Sequence, residues 1–243
     1  MRLRVLGFWG AYPEADGATA GYLLEHEGRS VLIDCGSGVM AKLLRYVQPK
    51  ALSACIITHF HFDHVADLGV LQYALLLNSF SGGDKVLPIY APRTPEALYQ
   101  QYEGVRGSEL QPIADGDRLK AAGVHFSFMR TRHPVETLAV RAQADGRTFA
   151  YTSDSQFFPE LADFIRGADL LVAEASVYAG EDGTPAGHMN AEEAGRLAAE
   201  AGVGRLLLTH LPHYGVHREL IDGAARHFHG TIALAHTGAC YDV

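Results

Sequence analysis

Apolar and polar positions follow two rhythms along this chain. Residues 2–6, 21–26 and 30–34 carry the short, β-rich apolar runs of strands, the last two turning back on each other near Glu27-Gly28. Gly36-Ser37-Gly38 opens a short helix to about Tyr46. Strand 53–57 precedes a strongly apolar helix over about 65–77, and 86–90 is a further strand. Thr94-Pro95 starts a helix, with Thr as N-cap and Pro in the first turn. Stretches 117–120, 124–131, 137–143 and 147–151 read as meandering strands. After them helix and strand alternate: helix 158–166, strand 169–174, helix 191–201, strand 205–209, helix 217–227 and strand 231–235. The start of helix 191–201 is well specified. Asn190 and Glu193 have capping-box spacing, Ala194, Leu197, Ala198 and Ala201 share a face, and Gly202 ends it. No low-complexity tract or long linker divides the chain, so the expectation is one α/β domain over 1–243.

The strand at 53–57 runs into Thr58-His59-Phe60-His61-Phe62-Asp63-His64, four good metal ligands within six residues. Side chains two apart on an extended segment point the same way, so His59 and His61 can share one ion. Asp63 and His64 lie where the chain must turn, and can face a second ion about 3.5–4 Å away. Solvated histidines in a polar loop are the bland reading, and they leave the cluster's place at a strand end unexplained. His133, Asp154 and His210 each follow a predicted strand too, and residues at strand ends on one sheet edge can meet although distant in sequence. Alone, each of the three is weak evidence.

Composition narrows the partners. Twenty Lys and Arg against 28 Asp and Glu leave a net charge of −8, which disfavours extensive nucleic-acid binding. No apolar run is long enough for a membrane span, and the N-terminus has no secretory pattern. The three cysteines (Cys35, Cys55, Cys240) are odd in number and suit free thiols in a reducing compartment, so the expectation is a cytoplasmic protein with no membrane partner. The apolar helix over 65–77 is either a dimer face or a covered core helix, which leaves a homodimer open.

Taken together, Leu6-Gly7, Asp34-Cys35-Gly36-Ser37-Gly38, the HxHxDH segment, His133, Ser153-Asp154-Ser155, Ala168 to Ser176 with Glu174, Gly187-His188 and Leu208-Thr209-His210 resemble the metallo-β-lactamase-fold hydrolases. Within them they are most similar to the ribonuclease Z-like group. The resemblance implies a four-layer αββα sandwich with two metals at one edge. One ion would take His59, His61 and His133, the other Asp63, His64 and His210, with Asp154 between them. Zinc suits this set, and manganese or iron is chemically admissible. The implied nucleophile is a hydroxide shared by the ions, oriented by Asp63. His188 would protonate the leaving oxygen or bind phosphate, and Glu174 would set its tautomer.

Two departures bear on substrate. The transfer-RNA-processing members carry a long arm, in the common bacterial form between the third histidine and the bridging aspartate. Here His133 to Asp154 spans 21 positions, filled by a predicted β-hairpin. Leu211-Pro212-His213-Tyr214 also replaces the Ser-Arg-Tyr that often follows the last histidine. The expected activity is therefore a phosphodiesterase on a small or cyclic phosphodiester. A tRNA 3′-end endonuclease and a lactonase or thioesterase of the same superfamily are the alternatives.

Overall fold

The computed structural model describes residues 1–243. Its strands are β1 (Arg2–Gly7), β2 (Gly21–His26), β3 (Arg29–Ile33), β4 (Ala54–Ile56), β5 (Leu87–Ala91), β6 (Ser108–Pro112), β7 (Arg118–Ala121), β8 (Val124–Arg130), β9 (Leu138–Ala144), β10 (Arg147–Tyr151), β11 (Leu170–Glu174), β12 (Arg205–Thr209), β13 (Thr231–Leu234) and β14 (Cys240–Asp242). The helices are α1 (Val39–Leu43), α2 (Phe62–Val65), α3 (Leu68–Phe80), α4 (Glu96–Gln101), α5 (Pro159–Ile165), α6 (Ala191–Ala201) and α7 (Arg218–Ala224). They form two mixed seven-stranded sheets, ordered β14-β1-β2-β3-β4-β5-β6 and β13-β12-β11-β10-β9-β8-β7.

The chain divides into two compact units. The first comprises Met1–Ala114, Lys120–Gly123 and His236–Asp242. In its sheet, β14, β1, β2 and β3 pair antiparallel and β3 to β6 pair parallel. Leu23, Leu32, Cys55 and Ile89 pack with Leu43 of α1 and with Leu68, Leu71 and Leu75 of α3. This is the 3.6-residue spacing of a helix laying one face on a sheet. The opposite face of α3 exposes Val70, Tyr73, Leu77 and Phe80. Cys35 and Cys55 are buried in this core, which pushes both thiols well above their usual pKa, whereas Cys240 is exposed.

The second unit comprises Asp115–Leu119, Val124–Ala235 and Val243. Its strands β8 to β10 are antiparallel, and β10 to β13 run parallel. β11, Leu-Leu-Val-Ala-Glu, is buried at every position, the continuous run expected of a strand covered on both faces. α6 packs on β11 and β12 and against α5 and α7. Its capping box is present: Asn190 accepts from the Glu193 amide, Glu193 accepts from the Asn190 amide, and Gly202 closes the helix in the left-handed region.

Four elements differ from the sequence expectation. The single helix over 65–77 is two, broken at Ala66-Asp67, where the Asp67 carboxylate turns to accept the Met40 amide of α1 at 2.9 Å. The helix after Thr94 begins at Glu96, with Pro95 extended before it and no side-chain cap. β6 and β14 are edge strands that the pattern of the chain does not announce.

Candidate metal centre

Most of the site residues follow the carboxyl ends of strands, those after β4, β11 and β12 in the parallel parts of the sheets, where open α/β sheets place their ligands. In the first unit, Asp34 follows β3 in the left-handed region (φ 58). Such a conformation costs a non-glycine residue of order 1 kcal/mol or more and persists where the surroundings hold it. Here they do. The fully buried Asp34 carboxylate accepts from the Thr58 amide at 2.8 Å, from the Thr58 hydroxyl at 3.0 Å, and pairs with His64 Nδ1 at 2.8 Å. The Cys35 amide bonds the His64 carbonyl and the Asp67 amide bonds the Cys35 carbonyl, clasping the turn after β3 to α2. Gly36 permits that approach: a Cβ there would lie 1.9 Å from the Asp63 carbonyl oxygen.

The histidine segment is thereby fixed. His59 Nδ1 lies 3.2 Å from the Thr58 hydroxyl, and the His59 ring sits 4.0 Å from that of His64 and 4.8 Å from that of His61. Asp63 and His64 stand on the single turn of α2. Asp63 Oδ2 accepts the Ala11 amide at 2.9 Å and lies 3.8 Å from His64 Nε2.

In the second unit, His133 follows β8, Ser153-Asp154 follows β10, Glu174 ends β11 and His210 follows β12. Ser153 (φ 52) and His210 (φ 54) are again left-handed. The Thr131 hydroxyl donates to the Asp154 carbonyl, tying the His133 and Asp154 turns together. His133 Nδ1 lies 3.0 Å from the Gly187 carbonyl oxygen, and a Cβ on Gly187 would meet His133 Nδ1 at 2.8 Å. Burial lowers the His133 pKa despite the opposing Asp154 charge, which favours the neutral imidazole a metal requires. Asp154 Oδ2 is 3.9 Å from His133 Nε2 and 3.5 Å from His210 Nε2. Asp154, His188 and His210 also bring ligand atoms within 4.8 Å of one another.

The fully buried Glu174 accepts the Ser155 amide at 2.6 Å and the Ser176 hydroxyl. It holds His188 Nδ1 at 3.0 and 3.1 Å from its two oxygens. His210 Nδ1 lies 2.8 Å from the Ser176 hydroxyl.

This donor chemistry fits divalent metal ions. Nδ1 of His59, His64, His133 and His210 each meets an oxygen, the outer contact that metal-ligating histidines make when Nε2 is the ligand atom. The Nε2-to-carboxylate spacings of 3.5 to 3.9 Å exceed a hydrogen bond. They are close to the roughly 3.3–3.5 Å between ligand atoms around one tetrahedral ion with bonds near 2.1 Å. Sequence reasoning had no role for Asp34, Thr58, Ser176 or the Gly187 carbonyl. Asp34 alone left a signal, an acidic residue ahead of Cys-Gly at a strand end. His26, His125, His213, His217, His227, His229 and His236 fall outside the ligand groups.

Residues 29–211 match the family model of the beta-lactamase superfamily domain, and the chain belongs to that superfamily. Along its whole length it is 42% identical to the probable metallo-hydrolase YhfI of Bacillus subtilis, all of which is covered. The crystal structure of that metallo-beta-lactamase fold protein superposes with a TM-score of 0.94 at 40% identity, over 99% of this chain and 98% of the other. The α/β metallo-β-lactamase fold is therefore established. A ribonuclease Z of Methanopyrus kandleri is 27% identical, over 86% of each chain. A diphosphatase from the PhnP family shares the fold, with a TM-score of 0.79 at 20% identity, covering 100% of this chain and 97% of that one. The protein is thus a metallo-hydrolase of the beta-lactamase superfamily with ribonuclease Z-like relatives. No helix is long and apolar enough to cross a membrane.

Proposed function

We propose that this metallo-hydrolase is a dinuclear phosphodiesterase acting on a small or cyclic phosphodiester. The resemblance assigns the seven ligands to one pair of ions, His59, His61 and His133 for one, Asp63, His64 and His210 for the other, with Asp154 shared. The likeness to a solved metallo-beta-lactamase fold protein runs through both ligand sets and supports this reading. When bound, two divalent cations, zinc on this donor set, supply Lewis acidity and a water-derived nucleophile at neutral pH.

The protein's own groups do the rest. Asp63, with one oxygen on the Ala11 amide, orients the attacking water. His188 acts on the substrate. Its Nδ1–H is committed to the Glu174 carboxylate, so Nε2 is the atom that meets a phosphate oxygen or protonates the leaving group. His188 keeps 18% of its side chain exposed while Glu174 is fully buried, so the ring is held at Nδ1 and partly open to solvent. This pairing is the observation that carries the phosphodiesterase reading, because attack on an acyl carbon needs no such acid. The stretch between His133 and Asp154 is the β9–β10 hairpin with a two-residue turn at Asp145-Gly146. It offers no gripping arm for a folded RNA, which favours a small substrate over precursor tRNA.

The test is turnover by wild type and His188→Ala on nitrophenyl phosphodiesters, a cyclic mononucleotide, a lactone, a thioester and a precursor tRNA. Wild type is expected to favour the phosphodiesters. His188→Ala is expected to keep both metals and lose about 10²- to 10⁴-fold in rate, and less for nitrophenolate, which needs little protonation. A preference for lactone or thioester with no loss in the variant overturns the reading, and efficient tRNA cleavage moves the protein to the endonuclease class. Loss of a metal in the variant would make His188 a ligand, beside Asp154 and His210.

A further inference from the structure

Each unit contains one fully buried carboxylate that touches one imidazole directly and reaches a second through a hydroxyl. In the first unit Asp34 meets His64 Nδ1 at 2.8 Å, and the Thr58 hydroxyl lies 3.0 Å from Asp34 and 3.2 Å from His59 Nδ1. In the second, Glu174 meets His188 Nδ1 at 3.0 Å. The Ser176 hydroxyl is bonded to Glu174 and lies 2.8 Å from His210 Nδ1.

Proton counting fixes the direction of these chains. An ionised carboxylate only accepts, so a hydroxyl hydrogen-bonded to one must donate its single proton there. Its lone pairs then face the neighbouring imidazole, which must donate from Nδ1. The reverse assignment would press two acceptors together, the hydroxyl oxygen against the carboxylate. A neutral imidazole with its proton on Nδ1 presents the lone pair of Nε2.

We propose that Thr58 and Ser176 are positioning residues: their hydroxyls, oriented by Asp34 and Glu174, hold His59 and His210 in the tautomer whose Nε2 binds a cation. Glu174 then sets two imidazoles with one charge, His188 directly and His210 through Ser176. The two rings it controls lie 5.2 Å apart. This inference rests on the dinuclear reading above only for its second readout.

The first readout is the tautomer state of His59 and His210 in metal-free wild-type protein, from long-range proton–nitrogen NMR spectra. The expected result is a proton on Nδ1 of both rings. A proton on Nε2 of either overturns the proposal for that residue, whether or not the protein binds two metals. A chain that shows the Nδ1 tautomers but takes up no zinc overturns the dinuclear reading and leaves this one standing.

The second readout is zinc affinity, by competition with a chromophoric chelator, in Thr58→Val and Ser176→Ala. Thr58→Val is expected to weaken one ion and Ser176→Ala the other, each by about 10- to 100-fold, the usual worth of an outer partner of a metal-bound histidine. The conservative Thr58→Ser and Ser176→Thr retain the hydroxyl and are expected to restore binding. Wild-type affinity in both deletions, or equal weakening of both ions by either one, overturns the proposal. If a deletion variant does not fold, the wild-type spectra decide.

Discussion

Replacing Asp34 with Asn changes one atom's chemistry at the centre of the first ligand set, and its consequence follows from donor geometry. Oδ1 of Asp34 accepts the fixed Thr58 amide at 2.8 Å, so the oxygen of an asparagine must occupy that position. Its NH2 then faces His64 Nδ1, where Oδ2 now sits at 2.8 Å. Two donors cannot share that contact. His64 answers by moving its proton to Nε2, and the lone pair needed by a metal ion is gone. The fold loses little: one charged hydrogen bond becomes a neutral one, about 1–2 kcal/mol. The ion held by His64 loses about 10- to 100-fold in affinity, or about 1.4–2.7 kcal/mol. Asp34→Ala is the contrasting variant. It strips the acceptor from three donors in a fully buried site. At about 1–3 kcal/mol per stranded group that is about 3–9 kcal/mol, a large share of the 5–15 kcal/mol typical of a folded domain. Urea denaturation of the metal-free variants and zinc competition on the folded ones measure the two effects separately. Asp34→Asn with wild-type affinity for both ions, or with His64 still protonated on Nδ1, would refute the reasoning.

The remaining expectations are narrower. Gly36→Ala forces a methyl to within 1.9 Å of the Asp63 carbonyl and 2.2 Å of the Thr19 hydroxyl. It should therefore displace the histidine segment, cost about 1–3 kcal/mol of overpacking strain and lower zinc uptake; unchanged uptake would show that the turn after β3 yields. Asp154→Ala should lower metal occupancy as well as turnover, since its Oδ2 lies between His133 and His210. Elemental analysis giving two tightly held ions per chain in that variant removes Asp154 from the bridging role. Asn190→Ala removes the side-chain half of the α6 capping box and should cost about 1 kcal/mol in denaturant melts; no measurable loss would mean that the packing of α6 alone sets its start.

Much of this protein is determined locally. The period-two and 3.6-residue patterns place most strands and helices because side-chain direction follows backbone geometry. The α6 capping box is legible because all its partners lie within four residues of one another. The seven proposed ligands were visible as metal-binding side chains at or just beyond strand ends, and four are contiguous enough to read as one motif. Tertiary structure decided what depends on distant neighbours. β6 reads Ser-Glu-Leu-Gln-Pro and has no strand pattern of its own; its conformation comes from parallel pairing with β5. β14 is likewise drawn into the sheet by β1. The break between α2 and α3 places Asp67 where its carboxylate accepts an amide 27 residues earlier. Thr58, Ser176 and Gly187 carry no metal-binding chemistry that a sequence displays, and Asp34 shows only an acidic residue ahead of Cys-Gly at a strand end. A carboxylate, a hydroxyl or a carbonyl becomes part of such a site only by standing within hydrogen-bond reach of a histidine. For Asp34, Ser176 and Gly187 that neighbour lies 30 to 54 positions away in the chain, and folding alone brings it there.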